Sequence, residues 1–125
     1  MKHAIRFETD SDAVLITTFG VVSLAGLDAV VADLLDEDRY RPGLRLLFDH
    51  SLLDWSGLEA QDLLRRVNGA LKEADLIGPS RIAIVSADPR MEAARSMRAD
   101  DPAWEVFADL DDARSWLADV EAHGR

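Results

Sequence analysis

The residues best suited to chemistry are crowded between positions 49 and 59, as Asp49-His50-Ser51 and then Asp54-Trp55-Ser56-Gly57-Leu58-Glu59. An acid, an imidazole and a hydroxyl in succession suggest acyl transfer by a Ser-His-Asp triad. Neighbours on an extended chain point to opposite faces, however, so these three cannot line up on one another. A triad would need partners from elsewhere, and the remaining histidines, His3 and His123, lie near the ends of the sequence. The G-x-S-x-G turn is also missing. Asp49 therefore reads as a loop cap. A second chemistry is cation binding, by an acidic rim of Asp49, Asp54, Asp88 and Asp109. Each of these has a local turn or capping role, and no D-x-D-x-D-G loop occurs, so no metal is expected. Phosphate-cradling glycine loops and H-E-x-x-H are absent as well. No constellation points to an enzyme or to a cofactor.

The elements that must position these residues follow from hydrophobic periodicity. Ala4–Glu8 alternates and reads as an edge strand, and the β-branched run Ala13–Phe19 reads as a strand covered on both faces. The polar turn Thr9–Asp12 joins them as a hairpin. Gly20 breaks the run. Ser23 can cap a helix carrying Leu24, Leu27, Val30, Val31, Leu34 and Leu35, and Arg41-Pro42-Gly43 closes that unit. Leu44–Phe48 is expected as the third strand. Ser56 and Glu59 form an S-x-x-E capping box ahead of a helical stripe running from Ala60 to Ala74. Arg81–Val85 is the fourth strand, and Asp88-Pro89 opens a helix to Ala99. Trp104–Phe107 is the fifth strand, and Asp109 caps a last helix bearing Leu110, Ala113, Leu117 and Val120.

A hairpin followed by helix-strand repeats implies an α/β fold: a mostly parallel central sheet of about five strands, one antiparallel edge strand and about four helices. With 125 residues and no linker or repeat, residues 1–125 read as a single domain. The net charge is -10, from 24 acidic and 14 basic residues, which opposes nonspecific binding to nucleic acid and to anionic membranes. There is no cysteine, no signal-peptide pattern and no apolar run approaching a bilayer's thickness, so a cytoplasmic location is expected.

The apolar run ending in Asp49 and the D-W-S-G turn at Asp54–Gly57 together resemble the central signature of STAS domains, the SpoIIAA-like anti-sigma-factor antagonists. In that family a buried strand ends in Asp, and a D-S-S-G turn presents a serine at the start of a helix. The ending Val106-Phe107 with Ala113-x-x-Trp116-Leu117 is similar to bacterial SpoIIAA-like proteins near the lipid-binding CRAL-TRIO group. The resemblance covers nearly the whole chain and implies the SpoIIAA-like fold. It also implies that Ser56 stands at the phosphoacceptor position. A helix start suits a phosphate, but Asp54 and Glu59 would repel one, and Trp55 replaces the family's first serine. Ser56 also explains itself as a helix cap worth about 1 kcal/mol.

Parallel sheets bind ligands at the carboxyl ends of their strands. The candidate site for a partner, a ligand or a phosphate is therefore Asp49, Asp54, Trp55, Ser56, Gly57 and Asp88. Trp55 is either a contact residue there or a lid over the sheet end. Arg90, Arg95 and Arg98, with Met91 and Met97, offer a second contact face, read first as a solvated helix side paired with Glu92, Asp100 and Asp101. The expected function is a non-enzymatic regulatory module that binds another protein, a second copy of the chain included. The alternative is a carrier of a small apolar ligand, lined by Phe19, Trp55, Met91 and Trp104.

Overall fold

The computed structural model describes residues 1–8, 13–41, 44–59, 61–62, 81–89, 91 and 104–118. Five strands form one sheet in sequence order: β1 (Lys2–Glu8), β2 (Ala13–Val21), β3 (Arg45–Asp54), β4 (Ile82–Val85) and β5 (Trp104–Phe107). β1 pairs antiparallel with β2, and β2–β3, β3–β4 and β4–β5 pair parallel. Two α-helices are described, against about four expected: α1 (Leu24–Asp36) and α2 (Leu110–Ala118). The helices expected at 60–74 and 88–99 fall almost wholly outside the described residues. Among the described residues no helix is long and apolar enough to cross a membrane.

The sheet has two covered faces. On one, Val14, Ile16, Leu46 and Phe48 pack under Val30 and Leu34 of α1. On the other, Leu47, Ala83 and Val85 pack under Ala113 and Leu117 of α2. Leu46 and Leu47 are both fully buried although adjacent, because the central strand is covered twice and cannot alternate apolar with polar. Each such side chain contributes about 1.5–3 kcal/mol by leaving water.

The local signals act where expected at Ser23, whose side chain accepts from the Gly26 N–H at the head of α1. Asp109 does the same for the Asp111 N–H before α2. Helix α1 ends earlier than Arg41-Pro42-Gly43: Glu37 leaves in an extended conformation and its N–H returns to Leu34 O. The middle of α2 is tied to the end of β1, where Arg114 holds the Glu8 carboxylate with two bonds of 2.8 and 3.1 Å. Arg114 chiefly, and Arg6 with it, keep that carboxyl below its usual range against the opposing effect of burial.

The third strand departs most from expectation. It does not stop at Phe48 but runs through Asp49, His50 and Ser51 to Asp54. The register shows why. Thr17 faces Asp49 and Phe19 faces Leu52, so β3 holds one more residue than β2 across that stretch. An extra residue in one strand is a bulge, and it reverses the faces of everything after it. Before the bulge, Leu46, Phe48 and His50 point toward α1. Past it, Leu53 is buried while Leu52 is turned outward.

Candidate functional site

The bulge decides where each residue between Asp49 and Gly57 goes. Asp49 lies inside the strand, half-buried, not at its end. Its Oδ1 accepts from the backbone N–H of Ser51 at 3.1 Å and from the Ser51 hydroxyl at 2.6 Å. Its backbone carbonyl accepts from the Thr18 hydroxyl at 3.2 Å. Thr18 Oγ1 also lies 2.6 Å from His50 Nδ1. A hydroxyl has one proton to give, so with that proton on Asp49 O the imidazole donates through Nδ1. Thr18 and His50 are both buried, and the imidazole sits between Phe48 and Trp55, with ring centroids 5.7 and 6.2 Å away. This polar pair escaped sequence reasoning, which considered His50 only as a triad member. The readable signal was the i, i+2 spacing of Leu46, Phe48 and His50 on one face.

The turn after β3 corrects a second expectation. Trp55–Gly57 is a single 3₁₀ turn, from which Leu58 leaves extended. Ser56 therefore lies within the turn and does not cap an α-helix; the cap is Asp54, whose Oδ1 accepts from the Ser56 N–H at 2.9 Å. Among the described residues helical structure is next seen at 61–62, where the Asp62 N–H reaches Glu59 O. The turn is fastened to β2 by a bond from the Val22 N–H to Asp54 O at 2.9 Å. That proximity accounts for Gly57: a Cβ there would stand 2.9 Å from the Val22 carbonyl oxygen and 2.9 Å from a Val21 methyl. Gly20, at φ +94, lets β2 make its last turn toward this contact.

Ser56 holds Asp54 electrostatically. Its hydroxyl first, and then its N–H, keep the Asp54 carboxyl below its usual range. A carboxylate whose pKa is depressed by folding stabilises the fold above its unfolded pKa, and that contribution is lost as pH falls through the folded value. Ser56→Ala is expected to raise the Asp54 pKa part of the way back, because the N–H bond remains. Carboxyl-carbon NMR titration measures it; an unchanged Asp54 pKa would show that the hydroxyl does not bond there. Phosphorylation of Ser56 would replace this donor with a dianion beside Asp54.

Trp55 points inward. It is only 8% exposed and belongs to a cluster with Val22, Leu27, Leu53, Leu58, Met91 and Val106. It is thus the lid of the sheet end. Phe19 does not join Trp55 and Met91; it stands on the opposite face, and the side chain of Trp104 lies outside the described residues. Asp88 belongs to a separate motif beyond β4: its N–H donates to Ser86 Oγ, and its carbonyl accepts from the Met91 N–H. Arg90, Arg95, Arg98 and Met97 lie outside the described residues. Among the described residues no three His, Asp or Glu side chains are placed to hold a metal ion.

What the strand ends do bring together is apolar. Phe19, Val21 and Leu52 are 38, 52 and 63% exposed. Phe19 and Leu52 are register neighbours, and Val21 lies opposite Asp54. The three flank the Trp55–Gly57 turn on the face away from α1, with Asp49 and Asp54 on the same side. The sequence points to this edge and to Phe19 as a cavity wall there, but it does not single out Val21 or Leu52.

No protein-family model matches the sequence, and no curated protein matches it. Among solved structures the chain is similar to an uncharacterized protein of the DUF3478 family with a SpoIIAA-like fold, from Shewanella loihica PV-4. The TM-score is 0.59 at 19% identity, over 93% of this chain and 92% of that one. The architecture described above is therefore a SpoIIAA-like fold.

Proposed function

We propose that this SpoIIAA-like chain is a cytoplasmic, non-enzymatic regulatory module that docks another protein on the carboxyl edge of its sheet. The observation that carries the reading is the adjacent exposure of Phe19, Val21 and Leu52 beside the Trp55–Gly57 turn. Large apolar side chains grouped at a surface are costly to leave in water and mark interaction sites. Asp49 and Asp54 border them, so the complementary partner surface is apolar with basic residues around it. The carrier reading needs Trp55 and Met91 as walls of an open cavity. Both are buried in one packed cluster, which favours docking.

Leu52→Asp tests the site. Leu52 is largely exposed, so the fold should lose less than about 0.5 kcal/mol. Capture of partner protein from the source cells is expected to fall at least tenfold, as it does when an apolar contact centre is made charged. Quantitative mass spectrometry of the proteins retained by wild-type and variant chains reads this. Identical retention by both would reject the docking site.

A further inference from the structure

We propose that the chain forms a homodimer by antiparallel pairing of β1 with the β1 of a second copy, centred on Ile5. β1 is the terminal strand of the sheet, and among the described residues no strand pairs with its outer edge. An open edge presents unpaired N–H and C=O groups to any strand of matching pattern. The side chains of β1 match themselves in one register. Centring on Ile5 sets Lys2 opposite the partner's Glu8, Ala4 opposite the partner's Arg6, His3 opposite the partner's Phe7, and Ile5 opposite its own copy. On one face Lys2 then meets the partner's Glu8, which Arg114 and Arg6 of its own chain also hold, and Ala4 meets the partner's Arg6; on the other the half-buried His3, Ile5 and Phe7 meet. Moving the centre to Ala4 sets Lys2 against the partner's Arg6, and moving it to Arg6 sets that residue against itself. Like charges directly opposite are destabilising, so the charge pattern selects the Ile5 register.

The wider charge distribution points the same way. The chain carries -10 overall, so most of its surface repels a second copy. β1 is an exception, with Lys2 and Arg6 against the single acid Glu8. Beside it, His3, Ile5, Asp33, Asp36, Glu37 and Asp38 line an acidic cleft of about 440 Å³ between β1 and α1. Arg39 lies 5.9 Å from the centre of the Phe7 ring. In the Ile5 register the partner's Phe7 faces His3, which carries the partner's Arg39 toward the acids of that cleft. Each copy thus supplies a cation to the other's acidic cleft.

The chain has no cysteine, so a single introduced thiol reports the register directly. Opposed residues of an antiparallel pair have Cα atoms about 4.5–5.5 Å apart, within reach of a disulfide. Ile5→Cys under mild oxidation is expected to give a covalent dimer, while Leu52→Cys, exposed on β3 two strands away from β1, gives none. Analytical ultracentrifugation should find twice the mass of one chain. Exposed Ala4 then separates charge from packing. Ala4→Glu should tighten the dimer against the partner's Arg6 and Ala4→Arg should weaken it, the two dissociation constants differing roughly tenfold. Far-UV circular dichroism confirms that each variant is folded. A native chain that is monomeric at every concentration, equal cross-linking through both cysteines, or an equal response to Glu and Arg at position 4 would each overturn the proposal.

Discussion

Trp55→Ala is expected to remove about 3–5 kcal/mol of unfolding free energy, the range for deleting a buried large aromatic. Total stabilities of single domains are about 5–15 kcal/mol, so much of the folded margin would go. Two contributions add. The indole fills the space among Val22, Leu27, Leu53, Leu58, Met91 and Val106, and alanine leaves that space empty. Its edge also meets the His50 ring at 79°, an arrangement of aromatic groups worth about 0.5–1.5 kcal/mol beyond area. Trp55→Phe should recover more than half of the loss. Urea unfolding followed by circular dichroism is the measurement, since Trp104 and Trp116 would confuse fluorescence. A loss below about 1 kcal/mol would mean that Trp55 does not close the sheet end in solution.

Thr18→Val is expected to cost about 1–3 kcal/mol, although valine has nearly the same shape and suits a strand at least as well. The substitution takes a partner from two groups at once, the His50 imidazole and the Asp49 carbonyl. Neither can recover it from water easily, because Thr18 and His50 are buried. Thr18→Ser keeps the hydroxyl and should restore most of the stability, which separates hydrogen bonding from packing. An unaltered urea midpoint in Thr18→Val would sink this account. The variant matters beyond stability. Thr18 bonds β3 at the residue before its bulge, and the bulge is what turns Leu52 outward. Loosening it should also weaken docking through Phe19, Val21 and Leu52.

These two residues show what the sequence could and could not convey. The bounds of Trp104–Phe107 are legible in the sequence, because aromatic and β-branched residues cluster over four positions between Pro102 and Asp109. So are the caps Ser23 and Asp109, whose signals act within three residues. Asp49-His50-Ser51 looked like a loop because a polar triplet breaks the apolar run. It is strand because β2 pairs with it and because Thr18, 32 positions away from His50, satisfies the imidazole. No local pattern encodes a partner that distant. Which way each side chain of the candidate site points is illegible for the same reason. Trp55 inward and Leu52 outward depend on one extra residue in β3, and a period-of-two argument has no means of finding it. Ser56 with Glu59 met the capping-box pattern, yet Asp54 took the cap first and spent it on a 3₁₀ turn.

The clamp between Glu8 and Arg114 carries a consequence for how the protein is made. Its halves are separated by 106 positions in the chain. At a synthesis rate of about 5–20 residues per second, Glu8 waits roughly 5–20 s for its guanidinium partner to be added. Throughout that interval the hairpin of β1 and β2 exists without α2. The nascent protein therefore completes β1, β2 and α1 before Arg114 exists. In that interval its first strand is held by β2 and by α1, whose Asp33 lies 2.7 Å from His3, and translation sets the moment at which the Arg114 clamp joins them.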